Sequence, residues 1–518
     1  MQRQSPARDT KYTYSYFLET QLLYTYYYMK YSLEIITFLS GAVVMIIELV
    51  GSRLIAPYLG TSIFVWTSLI GIILASLSLG YVIGGKRADK DPSYSGLSSL
   101  FFWGTIFSIW IIISEPILAV FATASIDIRL STVLATCILF LPVTFTLGMV
   151  TPYVTRLKLT AVEKAGNTIG TLYALSTLGS IIGTFLGGFI LISLIGTKAI
   201  FFSISCILFL LFIFSVFLAK RHNSSLFKII ALLFLLVIEF VFIHSHVSGY
   251  KTSLADIDTP YNRWLIYDSV DSQTQRKTRL LVNNNYGLQS GIYVDAPSEL
   301  LFDYLKIFDI AYSLVPGAKE TLLIGAGAYT YPNHFLASTT GVHMDVVEID
   351  TALDDIAKQY FSYTKNPRIR AYEEDGRIFL NSTGKKYDVI FLDAFSSKLS
   401  IPYHLTTIET VEKIAASLSR DGIVMSNIIS GLEGTTASFL QAQYATYKTI
   451  FPHVVALQVN TAVPKEAAQN IILIASHSQL DILKKLSHAI PEDDLDSDGA
   501  IHLTDDFAPI ERMSEELI

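Results

Sequence analysis

Thr321-Leu322-Leu323-Ile324-Gly325-Ala326-Gly327 decides the fold of the second half of this chain. An apolar run of strand length meets two glycines, and a helical stretch over 333–338 follows. Glycine lets the chain turn sharply at the end of a strand and lets a ligand approach the backbone. Downstream the pattern repeats. Met344-Asp345-Val346-Val347-Glu348-Ile349-Asp350 reads as a strand ending in acids, with a helix over 353–361. Arg368-Ile369-Arg370-Ala371-Tyr372 leads into Glu374-Asp375-Gly376-Arg377. Tyr387-Asp388-Val389-Ile390-Phe391-Leu392-Asp393 is a buried strand with an acid at its end, and Gly422-Ile423-Val424-Met425-Ser426-Asn427 is the next. Strands alternating with helices predict an α/β doubly wound, mostly parallel, Rossmann-like sheet.

In such sheets the ligand sits at the carboxyl ends of the strands. Those ends carry Gly325, Glu348, Asp375 and Asp393. Glu348 lies 21 residues past Gly327, where a carboxylate can accept hydrogen bonds from both hydroxyls of a ribose. The ordered set suits an adenosyl ligand. Asp350 and Asp388 read instead as solvated loop or helix-cap acids. Before the glycine turn, residues 298–315 show helical period, with Leu300, Leu301, Tyr304, Leu305, Phe308 and Ala311 on one face. Further upstream, Trp264-Leu265-Ile266-Tyr267 and Thr278-Arg279-Leu280-Leu281-Val282 read as strands, with Asn283-Asn284-Asn285 as turn residues.

The first half has another character. Only 16% of the chain is charged, and most acids lie beyond residue 250. Seven apolar runs, roughly 33–57, 62–84, 98–123, 132–154, 168–194, 198–219 and 227–247, reach the length a membrane crossing needs. The expected organisation is a tyrosine-rich arm (1–30), a transmembrane helical bundle (31–248), a small β-rich lead-in (249–295) and a nucleoside-binding domain (296–518). The net charge of −7 argues against nucleic acid as a partner. Cys137 and Cys206 both sit in apolar runs and suit neither a disulfide framework nor a metal site. Gly179, Gly183 and Gly187 recur at four-residue spacing, a pattern that lets helices approach closely. Glu48 and Arg53 fall in the first run, Glu115 in the third and Glu239 in the seventh.

Lys and Arg collect on the N-terminal arm (Arg3, Arg8, Lys11, Lys30) and on alternate connectors (Lys86, Arg87, Lys90; Arg156, Lys158, Lys164; Lys220, Arg221, Lys228). The positive-inside rule makes the N-terminus cytoplasmic, and seven crossings then put the C-terminal domain outside. Use of a cytosolic nucleoside puts that domain inside. The expectation is a multi-pass cell-membrane protein with a cytoplasmic soluble domain.

With these residues the chain resembles the spermidine synthase (polyamine aminopropyltransferase) family in its membrane-fused bacterial form. The similarity covers roughly residues 260–475. The membrane half is similar too, at Leu39-Ser40-Gly41 through Ala56-Pro57-Tyr58-Leu59-Gly60 and at Leu172-Tyr173-Ala174. The resemblance implies transfer of an aminopropyl group from decarboxylated S-adenosylmethionine to a polyamine, without a metal. It implies that Gly325 and Gly327 form the nucleotide turn, that Glu348 binds ribose, and that Asp375 with Gly376 contacts adenine. Asp393 matches the first acid of the catalytic loop. Gln289, Tyr304, Ser396 and His404 fall at pocket positions.

Two departures from the family pattern stand out. Ala328 replaces an acid that helps hold the donor's amine. Ser396 replaces the acid that takes the proton from the attacking amine, and Lys398 follows it. A dicationic acceptor needs carboxylates to bind it and to deprotonate it. The departures therefore leave open a transferase, such as a methyltransferase, that uses ordinary S-adenosylmethionine on another acceptor. A transporter whose soluble domain senses a nucleoside or a polyamine is the non-enzymatic alternative. The expected partners are a small-molecule amine or other acceptor, the lipid bilayer and, as a candidate, a second copy of the chain in a homodimer.

Overall fold

The structure, a computed structural model, describes residues 31–59, 62–123, 127–159, 165–219, 225–246, 253–283, 287–394, 402–479, 488–495 and 499–515. They divide into a helical unit, residues 1–55 and 64–247, and an α/β unit, residues 248–518, with which 56–63 are grouped. The tyrosine-rich arm and the basic residues Lys164, Lys220 and Arg221 lie outside the described residues.

In the helical unit α1 spans Ser32–Leu59, α2 Ile63–Lys90 and α3 Tyr94–Ile113. A short α4 (Glu115–Thr123) leads to α5 (Ile128–Gly148) and α6 (Val150–Lys158). Helix α7 (Ala165–Phe185) continues through a π-helical turn, Leu186–Leu191, into α8 (Ile192–Ile195); α9 (Thr197–Leu218) and α10 (Leu226–His246) complete the unit. Among the described residues seven helical stretches are long and apolar enough to cross a membrane, matching the seven runs in the sequence. Their outward faces keep large apolar side chains such as Leu74, Val82, Phe185, Phe189, Phe227 and Phe234 exposed. Such a surface suits a lipid solvent rather than water.

The third run is shorter than its sequence suggests. It breaks at Ser114, so Glu115 opens a separate helix and pairs with Lys198 Nζ, in the first turn of α9, at 2.8 Å. The glycines on α7 do what their spacing predicts. A Cβ on Gly179 would come within 2.0 Å of Phe38 O, and one on Gly183 within 2.4 Å of Ala42 O, so α1 and α7 touch backbone to backbone. Pro142 in α5 lacks the N–H that would serve the carbonyl of Ile138, and Trp110 Nε1 donates to that carbonyl instead at 3.1 Å.

The α/β unit holds two sheets. The smaller is antiparallel, in the order β1 (Ser253–Asp258), β2 (Arg263–Val270), β3 (Lys277–Asn283), β4 (Gly287–Tyr293). The sequence suggested only the two middle strands. The predicted helix over 298–315 is two shorter ones, α11 (Asp303–Phe308) and α12 (Ala311–Leu314), because Leu300 bridges to Ile292.

The larger sheet comprises β5 (Glu320–Ile324), β6 (His343–Glu348), β7 (Ile369–Glu373), β8 (Tyr387–Leu392), β9 (Leu418–Ser430), β10 (His453–Gln458) and β11 (Gln469–Ser476), in the order β10-β11-β9-β8-β5-β6-β7. Strands β5 to β9 pair in parallel, whereas β11 runs antiparallel to β9 and β10 antiparallel to β11. Helices α13 (Thr330–Ser338), α14 (Ala352–Tyr360), α15 (Gly376–Ser382), α16 (Ile408–Ser417) and α17 (Ser438–Lys448) connect the strands. Side chains alternate across the sheet, as strand geometry requires. Leu322, Ile324, Ile390 and Leu392 enter one core cluster, and Leu323, Val389 and Phe391 enter another. Both faces are covered, which explains why these strands read as continuous apolar runs.

Candidate functional site

The parallel strands end together along one rim, and backbone bonds lace that rim. Gly325 N donates to Val347 O at 2.9 Å, Asp393 N to Ile324 O at 2.8 Å and Glu374 N to Glu348 O at 3.2 Å. Gly325 has φ +88°, and a Cβ there would lie 2.4 Å from Asp393 O. A side chain is thus excluded by both conformation and space. Gly327, at φ +51°, would drive a Cβ to within 2.4 Å of Ser290 Oγ on β4.

Above the rim lies a cavity of about 670 Å³. Gly325, Gly327, Glu348, Asp375, Gly376, Asp393, Gln289, Tyr304 and His404 all line it, so the structure gathers nine of the sequence-chosen residues at one place. The tenth, Ser396, lies outside the described residues, as does Lys398.

Glu348 is fixed by its own turn. Its Oε2 accepts from Ala326 N at 2.8 Å and its Oε1 from Asp350 N at 3.0 Å. Burial pushes its carboxyl up from the ordinary carboxylate range, and the backbone donors partly offset that. Each oxygen retains a lone pair for a further donor.

Asp393 Oδ2 accepts from Tyr304 OH at 3.0 Å and Oδ1 from Asn427 Nδ2 at 2.9 Å. Burial pushes its carboxyl up to about 7, against the lowering effect of both hydrogen bonds. The same burial, with the neighbouring Asp393 charge, holds the Tyr304 hydroxyl well above its ordinary value, so it serves as a donor. Asn427 Oδ1 accepts in turn from Asn470 Nδ2 at 2.9 Å. A chain Tyr304–Asp393–Asn427–Asn470 thus spans α11, the end of β8, β9 and β11.

Asp375 divides its work. Its Oδ1 caps α15 by accepting from Arg377 N at 2.9 Å and Ile378 N at 3.1 Å, and its Oδ2 lies 3.1 Å from His404 Nε2. Gly376 packs tightly, since a Cβ there would meet Ile324 Cγ2 at 2.5 Å.

The reading of Asp350 as a solvated loop acid is corrected, although its side chain does accept from the first turn of α14 as the cap reading has it. It is only 2% exposed and accepts from Thr259 Oγ1 at 2.6 Å and Trp264 Nε1 at 2.7 Å, while Ala352 N donates to its other oxygen at 3.2 Å. It ties the small sheet to the end of β6. Asp388 is a structural brace that accepts from Lys319 N, Glu320 N and Ser419 Oγ. Ala328 packs away from the cavity, among Trp264, Ile266, Leu281 and Leu353, and its N–H donates to Ser290 Oγ at 3.0 Å.

Asn427 and Asn470 were missed as site residues. An amide in the middle of an apolar strand is disfavoured unless something pairs with it. That signal was present at Asn427, inside Met425-Ser426-Asn427-Ile428-Ile429.

The chain has relatives among known proteins. Residues 306–482 match the spermine/spermidine synthase domain. A polyamine aminopropyltransferase from Vibrio vulnificus (strain CMCP6) is 29% identical over 177 residues, 34% of this chain and 56% of the relative. A polyamine aminopropyltransferase from Alkaliphilus metalliredigens (strain QYMF) is 34% identical over 92 residues, 17% of this chain and 32% of the relative. The chain thus spans about half the length, or less, of these curated relatives. The crystal structure of a probable spermidine synthase from Corynebacterium glutamicum ATCC 13032 aligns with a TM-score of 0.41 and 20% identity, covering 48% of this chain and 95% of that one.

Proposed function

We propose that this protein is a membrane-embedded, spermidine synthase-like transferase that moves an aminopropyl group from decarboxylated S-adenosylmethionine to an amine. One observation carries the reading: Glu348 and Asp393 end β6 and β8 on the two sides of β5, and face one cavity of about 670 Å³, large enough for a nucleoside. Glu348 holds the ribose diol through the lone pairs its backbone donors leave over. The glycine turn lets the adenosyl group lie against the backbone of β5, and Asp375 with Gly376 flanks the base. Tyr304 and Gln289 shape the wall beside the reacting carbon.

The step is a displacement. The acceptor's nitrogen lone pair forms a bond to the aminopropyl carbon attached to sulfur. The carbon–sulfur electron pair leaves with sulfur, which passes from sulfonium to neutral thioether. The proton lost by nitrogen goes to Asp393. A carboxylate raised to about 7 is a better base for an ammonium than an ordinary one, and near neutral pH about half of it is in the ionised, proton-accepting form. Consumption of a cytosolic nucleoside places the α/β unit on the cytoplasmic side.

A second reading, transfer from ordinary S-adenosylmethionine, is favoured by Ala328. Its side chain is turned into an apolar cluster, so this position brings no acid to the cavity to repel the methionine carboxylate. Calorimetry on the detergent-solubilised full chain with both nucleosides separates the two. Tighter binding of the decarboxylated form, followed by release of methylthioadenosine when an amine is added, is the expected result. Preference for ordinary S-adenosylmethionine overturns the aminopropyl reading.

A further inference from the structure

The cavity has two chemically different ends, and they follow the strand order. On the β6–β7 side its lining includes Glu348, Asp350, Glu374 and Asp375. On the β9–β11 side it combines the apolar Ile429, Val459, Val463 and Ala468 with the uncharged amides Asn427, Asn460, Gln469 and Asn470. Asp393 stands between them. Among the described residues one other carboxylate lines the cavity near α11: Asp303, which is largely exposed and already paired with Lys306 Nζ at 2.8 Å. The sequence that follows Asp393, Ala394-Phe395-Ser396-Ser397-Lys398-Leu399-Ser400-Ile401, contains no acid.

We infer that the acceptor is a primary amine with a single cationic nitrogen on an uncharged, largely apolar body, rather than a diamine or longer polyamine. This rests on the transferase reading above and names the acceptor's class. Asp393 can neutralise one ammonium. A second ammonium, a carbon chain further on, would lie against Ile429, Val459 and Val463, where no carboxylate among the described residues replaces the water it loses. The amides do not supply the missing charge. Asn427 is oriented by its bond to Asp393, which turns its Oδ1 toward Asn470 Nδ2. Asn470 Oδ1 is then left to accept from a neutral N–H or hydroxyl on the acceptor's body. The apolar wall gains from covering hydrocarbon, and a second charge would forfeit that gain.

The test compares butylamine with putrescine, which share a carbon chain and differ in the second ammonium. Full-length protein in detergent is given decarboxylated S-adenosylmethionine, and methylthioadenosine is measured. The inference expects kcat/KM for butylamine to exceed that for putrescine by about tenfold, the equivalent of about 1.4 kcal/mol. It further expects Val463→Asp, which places an acid in the apolar wall, to shift that ratio toward putrescine by a similar factor, with donor affinity by calorimetry unchanged. Equal or faster turnover of putrescine by the unmodified protein overturns the inference and leaves the transferase reading standing. An unshifted ratio in Val463→Asp with intact donor binding also overturns it. Donor binding without methylthioadenosine release from either amine overturns both.

Discussion

In the helical unit Glu239 is fully buried, and its one described hydrogen bond comes from Ser205 Oγ at 3.1 Å, which is itself bonded to Ser108 Oγ at 2.9 Å. At the rim of the large sheet Asp393 receives two bonds, from Tyr304 and Asn427, and opens on a cavity. Both are carboxyls removed from bulk water, yet they differ in what surrounds them. Glu239 is joined to hydroxyls on α3 and α9, a pattern that fastens helices where lipid offers no hydrogen-bond partners. Asp393 is held in one orientation by rigid donors, with space left for a reactant. Burial alone therefore does not single out a candidate base; fixed donors and room beside the carboxyl set Asp393 apart.

The sharpest way to break that contrast is Asp393→Asn. It should lower the turnover of methylthioadenosine by about 10²–10³-fold, the usual worth of a positioned general base, with donor affinity nearly unchanged. An activity within a few fold of the unmodified protein would remove Asp393 from the chemistry. Next in size is Glu348→Gln, which keeps the shape but weakens two charge-assisted bonds to a ribose. Calorimetry should show donor affinity falling by about 10–100-fold.

The pH dependence sharpens the comparison further. The folded pKa of Asp393 is raised to about 7 from 3.8, so between those values the folded chain binds more protons than the unfolded one. Stability then falls as pH rises through this window and the penalty is complete above it. Thermal melts should show the unmodified protein losing stability relative to Asp393→Asn between pH 5 and 8, by about 1–2 kcal/mol after allowance for its partial solvent contact. Activity moves the opposite way, rising with pH through about 7 as the base ionises. A flat difference between the two melts would contradict the raised carboxyl. The smallest effect is expected at Glu239→Gln, which should leave donor affinity within about twofold by calorimetry, since Glu239 is not among the residues that line the cavity.

Much of this was legible in the sequence. Apolar runs of membrane length announce their helices because nothing else tolerates so few charges. Gly325, Glu348 and Asp393 stand out because each interrupts an apolar strand at its end. The amide half of the site was not legible for the converse reason. Asn427 and Asn470 carry no charge, and they meet only because β11 pairs antiparallel with β9, with Asn427 opposite Ile472 and Asn470 opposite Ile429. Strands β9 and β11, which carry them, end in Ser430 and Ser476, so a search guided by strand-end acids passes over them. Asp350 was misjudged because its partners, Thr259 and Trp264, lie some 90 residues earlier in a sheet only half visible from its sequence. Asp375 can be read as cap or ligand from its setting before a helix; in the structure one oxygen caps α15 and the other lies 3.1 Å from His404 Nε2.

The clasp at Asp350 has a thermodynamic consequence. It sits two residues from Glu348, and its backbone N–H is bonded to the Glu348 carboxylate while its side chain grips the loop and strand of the small sheet. A nucleoside that immobilises Glu348 must therefore also quiet Thr259 and Trp264. Deuterium uptake by the amides of β1 and β2 should slow when the nucleoside is bound, although neither strand supplies the residues assigned to grip it.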